Sequence, residues 1–261
     1  MTSLRKSGPN SRTKGNSLTS PSLIFQLEAQ VATITLNRPE AGNTFDSRMA
    51  YEFSDACDRV NQDDLIRVAV LRGAGDTFCL GDDSDSSPGV ADVVSAVAKP
   101  VIACINGDAI SAGLELALAC DIRIASVNAR FGLIQLQYGL MPHHGGTQRL
   151  PRLVGRGKAL ELILTGAIFD SAEAARMGLV SQVAPATEVA NEASKLALRM
   201  AAMAPYSLRF AKEAINKGLD LTLEQGLRLE ADLYFLMQTT RDRVEGITCY
   251  LQKKAPHFEG R

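Results

Sequence analysis

The chain has no excess of charge of either sign: 28 Lys and Arg stand against 29 Asp and Glu in 261 residues. That balance excludes the global positive field that gathers nucleic acid or an anionic membrane surface, so a small molecule is the expected partner. No apolar run approaches the roughly 20 residues needed to cross a bilayer, and no signal-peptide core follows Met1. A soluble, cytoplasmic protein is expected. Cysteine is sparse and unpatterned: Cys57, Cys79, Cys104, Cys120 and Cys249 are odd in number, scattered and without metal-ligand spacing. They read as reduced core thiols, and no metal site is expected. Acidic residues are missing from the first 20 positions, where Arg5, Lys6, Arg12 and Lys14 lie among Ser, Gly and Asn. Such a segment buries too little apolar surface to order itself, so residues 1–21 are expected to form a disordered tail. A transit peptide is the lesser reading, because the apolar stripe of an amphipathic helix is absent.

What remains is long enough for one large domain or a core with an appendage. Leu23 to Leu27 and Val31 to Leu36 read as a hairpin joined at Glu28-Ala29-Gln30, followed by a turn at Asn37-Arg38-Pro39. Met49, Phe53, Cys57 and Val60 recur at helical spacing after a cap at Asp46. Strands are expected at Val68 to Leu71, Val101 to Ile105 and Ile122 to Ala125, with a helix at Leu114 to Ala119, which makes the organisation α/β. A helical region follows, at 172–177, 190–200, 208–217 and 223–237, with one strand near 179–183. Leu223, Leu227, Ala231 and Tyr234 form one stripe of the last helix, and Leu229, Leu233 and Leu236 a second. That is more apolar surface than one neighbouring helix covers, which points to subunit contact or to full burial.

Three segments carry candidate chemistry. Asn106 to Gly113 joins a strand to a helix through small residues and brings backbone N–H groups close to a ligand, although a plain tight turn would look the same. Glu115 is the only ionisable residue in the apolar run 114–119. A carboxylate there must either pair with a buried Arg or have an adjusted pKa suited to proton transfer. The junction Thr77 to Asp82 could aim another N–H at the same point and complete an oxyanion hole, though Gly-Asp after a strand is ordinarily a turn. Finally, His143 and His144 are adjacent in a loop flanked by Pro142 and Gly145, which suggests a fixed loop rather than a solvated one.

Collinear stretches resemble the crotonase superfamily of enoyl-CoA hydratases and isomerases. They are Ile34 to Glu40, Phe78 to Asp82, Lys99 to Gly107, Leu116 to Ala125, Gly145 to Arg152 and Lys253 to Phe258. The resemblance implies a spiral of strand-strand-helix units over 22–186 and a helical trimerisation region over 187–261. It also implies trimers or hexamers, a coenzyme A thioester as substrate, no further cofactor, and lyase chemistry of fatty acid metabolism. Carried over by position, the oxyanion amides are those of Leu80 and Ala112, and Glu115 is the base that activates water. Arg38, Phe78, Gly81, Asp82, Gly113, Lys253 and Lys254 would contact substrate.

This chain departs from the pattern at several points. Gln135 takes the place of the second glutamate and cannot exchange a proton at neutral pH. His143 is a candidate replacement, the alternative being that it only packs. Ala112 stands where glycine is usual and would be strained at positive φ. The segment after Gly81 is short, with Asp83, Ser84 and Asp85 replacing a phosphate-binding lysine, so a more open acyl site is expected, with Lys253 and Lys254 compensating from a neighbouring subunit. Hydration of an enoyl-CoA is the leading reading. Isomerisation, thioester hydrolysis, cyclic dienoyl-CoA hydration and binding without turnover are the others.

Overall fold

The computed structural model describes residues 21–83 and 89–261; the expected disordered tail, Pro21 apart, and the segment from Ser84 to Asp85 lie outside them. Strands β1 (Leu23–Glu28) and β2 (Val31–Leu36) form the expected hairpin, closed by Ala29 and Gln30 at φ 45° and 68°. Two successive positive φ values give a turn whose twist matches the strands. Helix α1 (Ser47–Gln62) begins where Asp46 accepts the Met49 amide at 2.8 Å, and it buries Met49, Phe53, Cys57 and Val60 as their spacing predicts.

A strand-strand-helix unit then repeats. Its first turn is β3 (Val68–Gly73), β4 (Thr77–Cys79) and α2 (Val90–Ser95). The second is β5 (Val101–Ile105), β6 (Asp108–Ile110) and α3 (Ala112–Ala119). The third is β7 (Ile122–Ser126) and β8 (Arg130–Gly132), followed by α4 (Gly146–Val154) and α5 (Arg156–Thr165). Strand β9 (Phe169–Asp170), helix α6 (Ser171–Arg176) and strand β10 (Gln182–Ala184) close the spiral. Each turn gives its first strand to a six-stranded sheet ordered β1-β2-β3-β5-β7-β10 and its second to a four-stranded sheet ordered β4-β6-β8-β9. The junctions expected at 77–82 and 106–113 therefore contain short strands. Three residues are too few to show a period of two.

Strands β3 and β5 bury both faces, which is why they read as unbroken apolar runs. Ala69, Leu71, Val101, Ala103 and Ile105 face the main core with Phe78, Leu114 and Phe131. Val68, Val70, Ile102 and Cys104 face the other way, under helix α7 (Val189–Ala201), whose Ala193, Ala197 and Ala201 allow close approach. All five cysteines are free and buried.

Helices α8 (Pro205–Gly218), α9 (Leu223–Met237) and α10 (Arg241–Gln252) form an arm. Of the two apolar stripes on α9, only Leu233 is buried, whereas Leu223, Leu227, Tyr234 and Leu236 are exposed. The arm is tied back by its own last residues: Asp242 accepts the Glu259 and Gly260 amides, each at 2.8 Å. Among the described residues, no helix is long and apolar enough to cross a membrane.

Candidate active site

Helix α3 places Glu115 in its first turn, fully buried. The helix starts abruptly. Ser111, at φ 52° and ψ −124°, carries the strained backbone expected at Ala112, which is itself helical. Gly113 lies flush against strand β4: a Cβ there would sit 2.0 Å from the Cys79 carbonyl oxygen, so this glycine serves packing rather than ligand access. As the first helical residue, Ala112 has no carbonyl of its own helix to bond, and its amide is at the positive end of the helix.

Three donors converge on Glu115. Oε1 accepts the amides of His144 at 2.9 Å and Gly146 at 2.8 Å, and Oε2 accepts Nε2 of Gln135 at 2.9 Å. The two amides can aim at one oxygen because Gly145, at φ 94°, turns the loop back on itself. Arg149 secures that loop from behind, donating to the His144 carbonyl at 2.7 Å and to Asp92 of α2 at 3.2 Å. Burial pushes the Glu115 carboxyl above its ordinary range, against the Gly146 amide, the charge of His144, the His144 amide and the charge of His143. The result is an oriented carboxylate able to gain and lose a proton at milder pH than a surface glutamate. Gln135 holds it but leaves its own Oε1 buried without a hydrogen bond among the described residues, a free acceptor next to the carboxylate.

The histidines divide unevenly. His144 is 5% exposed and its Nε2 lies 3.1 Å from Oδ2 of Asp82; His143 is 53% exposed and lies 3.7 Å from the same oxygen. Their rings meet at a tilt of 40° with centroids 4.0 Å apart. His144 rather than His143 is thus the embedded one, which the sequence reading missed. The hydrogen bond to Asp82 raises the His144 pKa; burial opposes it, and the charges of Asp82, Glu115 and Asp92 add to it. Asp82, His143 and His144 bring three donor atoms within 4.8 Å of one another. Their separations are those of a hydrogen bond and an ion pair, and we assign no metal to them.

The other expected contacts scatter. The Leu80 amide donates to the Gly42 carbonyl at 3.0 Å, and Gly81 at φ 148° offers its carbonyl to the Phe45 amide. Phe78 is wholly inside the core, where the alternation of β4 sends it, so its side chain cannot meet a ligand. Arg38 pairs with Asp46 at 3.1 Å and Asp83 at 3.7 Å. Lys253 and Lys254 are exposed at the end of α10, with Lys253 capping it at φ 56°.

Comparison with known proteins decides the family. The enoyl-CoA hydratase/isomerase family model matches residues 26–261. The chain belongs to that family. An (E)-benzylidenesuccinyl-CoA hydratase of Thauera aromatica is 39% identical over 91% of this chain and 99% of its own. A 2,3-dehydroadipyl-CoA hydratase of Escherichia coli strain K12 is 37% identical over 92% and 99%. The crystal structure of an enoyl-CoA hydratase from Bacillus anthracis superposes with a TM-score of 0.88 at 35% identity, covering 92% of this chain and all of that one. As in the rest of the enoyl-CoA hydratase/isomerase family, the fold is the mixed α/β spiral with a helical C-terminal region. The expectations of fold and family therefore hold.

Proposed function

We propose that the protein adds water to an α,β-unsaturated acyl-CoA thioester, or removes it, with Glu115 as the base. The observation that carries this reading is the buried carboxylate of Glu115, oriented by the amides of His144 and Gly146 and by Gln135. Water loses a proton to Glu115 as its oxygen bonds the β-carbon, and the electron pair of the double bond moves toward the thioester to give an enolate. Donors that meet the enolate oxygen more strongly than the ground-state carbonyl lower the barrier. The Ala112 amide, at the start of α3, is one such donor. The Leu80 amide is the second if the thioester oxygen takes the place of the Gly42 carbonyl. The unpartnered Oε1 of Gln135 can accept a hydrogen bond from the attacking water.

The substrate supplies coenzyme A, and the reading requires no other cofactor. Asp82 and Gly81 border the thioester, with Arg38 near the coenzyme. The exposed apolar residues of α9 and α10 support a homotrimer or hexamer, in which Lys253 and Lys254 reach a neighbour's coenzyme phosphates. The test is turnover of a panel of linear, cyclic, aryl-substituted and carboxylate-bearing enoyl-CoA thioesters, with products identified by mass. Gain of one water, abolished in Glu115→Gln, is expected. A product of unchanged mass with a moved double bond would make the protein an isomerase instead. Release of free coenzyme A would make it a thioester hydrolase.

A further inference from the structure

Hydration needs two protons handled at once, one taken from water and one given to the α-carbon, and Gln135 can handle neither. Resting on the hydratase reading, we propose that His144, paired with Asp82, is the second proton-holding group of this site.

The geometry points to this pair from several directions. His144 is the buried member of the adjacent histidines, and its Nε2 is within hydrogen-bond distance of Asp82 Oδ2 at 3.1 Å. Its main-chain N–H meanwhile donates to Glu115 Oε1 at 2.9 Å, so one residue adjoins both the base and the acid partner. Asp82 follows directly on Leu80 and Gly81, the segment that borders the thioester in the hydratase reading. His143, half exposed, lies against His144 and brings its own Nε2 within 3.7 Å of the same Asp82 oxygen, so the pair adjoins solvent. The charged groups that face His144 are Asp82 from the loop after β4, Glu115 from α3, Asp92 from α2, His143 from its own loop and Arg149 from α4, which holds its carbonyl. Anions predominate among them, so the imidazolium form is favoured where it is needed.

The balance closes without a co-reactant. Water gives a proton to Glu115 while its oxygen bonds the β-carbon; the π pair forms the enolate; the imidazolium of His144 releases its proton to the α-carbon. Glu115 then returns its proton to His144, and both groups regain their starting states.

The test combines kinetics with a measurement that does not need turnover. In His144→Gln, kcat should fall by about 10²-fold, the usual size of one proton-transfer contribution. The alkaline limb of its pH profile should vanish, which a merely structural role would not cause. In Asp82→Asn that limb should move to lower pH. Adding Gln135→Glu to His144→Gln should recover at least about 10-fold, because it restores a second acid at the other position. Side-chain ¹⁵N NMR should show His144 keeping its proton to higher pH in the wild type than in Asp82→Asn. A His144→Gln enzyme that keeps its alkaline limb, or a His144 titration unchanged by Asp82→Asn, overturns the proposal. If the wild type hydrates none of the thioesters, the hydratase reading fails by itself, and the NMR titration still decides whether the pair holds a proton as described.

Discussion

Around Glu115 the spiral leaves little unsatisfied: apolar strands are covered on both faces, and a buried carboxylate has three donors fixed upon it. The helical arm is built the other way. Helix α8 buries no residue fully, Phe235 of α9 is 71% exposed and Tyr250 of α10 is 83% exposed, with Leu223 and Leu251 beside them in solvent. Apolar surface of that extent on a single chain is the kind that interaction sites present. The spiral thus buries its apolar faces and holds the candidate chemistry, whereas the arm leaves apolar surface exposed, the surface on which the proposed trimer or hexamer rests. Substitutions in the two regions should fail differently.

The largest effect should come from Glu115→Gln, with kcat/KM reduced about 10³-fold and the melting temperature unchanged or raised, because a buried ionisable group disappears. The Glu115 carboxyl is raised above its ordinary 4.5 in the folded protein, so the folded state binds its proton more tightly than the unfolded chain does. Its contribution therefore favours the fold least at high pH. The stability gained by Glu115→Gln should be absent below about pH 4 and should grow from there to a plateau beyond the raised pKa, in urea titrations run across that window. A difference independent of pH would mean that the three donors cancel the burial entirely.

Next in size is Gly113→Ala. With the Cys79 carbonyl oxygen 2.0 Å from the added Cβ, backbone must move, at a cost of about 3 kcal/mol in the unfolding free energy read from urea titration. Arg149→Met should lower kcat about 10-fold while leaving stability nearly intact, because it releases the loop that aims the His144 and Gly146 amides at Glu115. The smallest effect on chain stability, within about 0.5 kcal/mol, belongs to the double variant Phe235→Ser and Tyr250→Ser. Its signature is elsewhere: light scattering should report a smaller assembly. An unchanged mass would remove the contrast between spiral and arm.

Much of this was legible in the residues. The Asp46 cap, the 3–4 spacing of Met49, Phe53, Cys57 and Val60, and the apolar runs at 68–71 and 101–105 each specify one element without help from the rest of the chain. Glu115 stood out because nothing around it in sequence could offset its burial. Strands β4, β6 and β8 were hidden because three residues show no period, and they exist only by pairing within the four-stranded sheet. Helix α10 escaped because its exposed Val244, Ile247 and Leu251 do not make the inward stripe of a self-contained helix. The ranking of His143 over His144 could not be corrected from sequence, since it depends on Asp82, some 60 positions away, arriving at one imidazole rather than its neighbour.

Gln135 has one more consequence. A primary amide has two ends of nearly equal size and opposite hydrogen-bonding character, and here one end touches Glu115 while the other is unpartnered. The NH₂ end donates to the carboxylate, so the neighbour of the base is neutral and attractive. A glutamate at 135 would set a second negative charge against Glu115 and push its pKa further up, so the amide favours an ionised base where a carboxylate would oppose it.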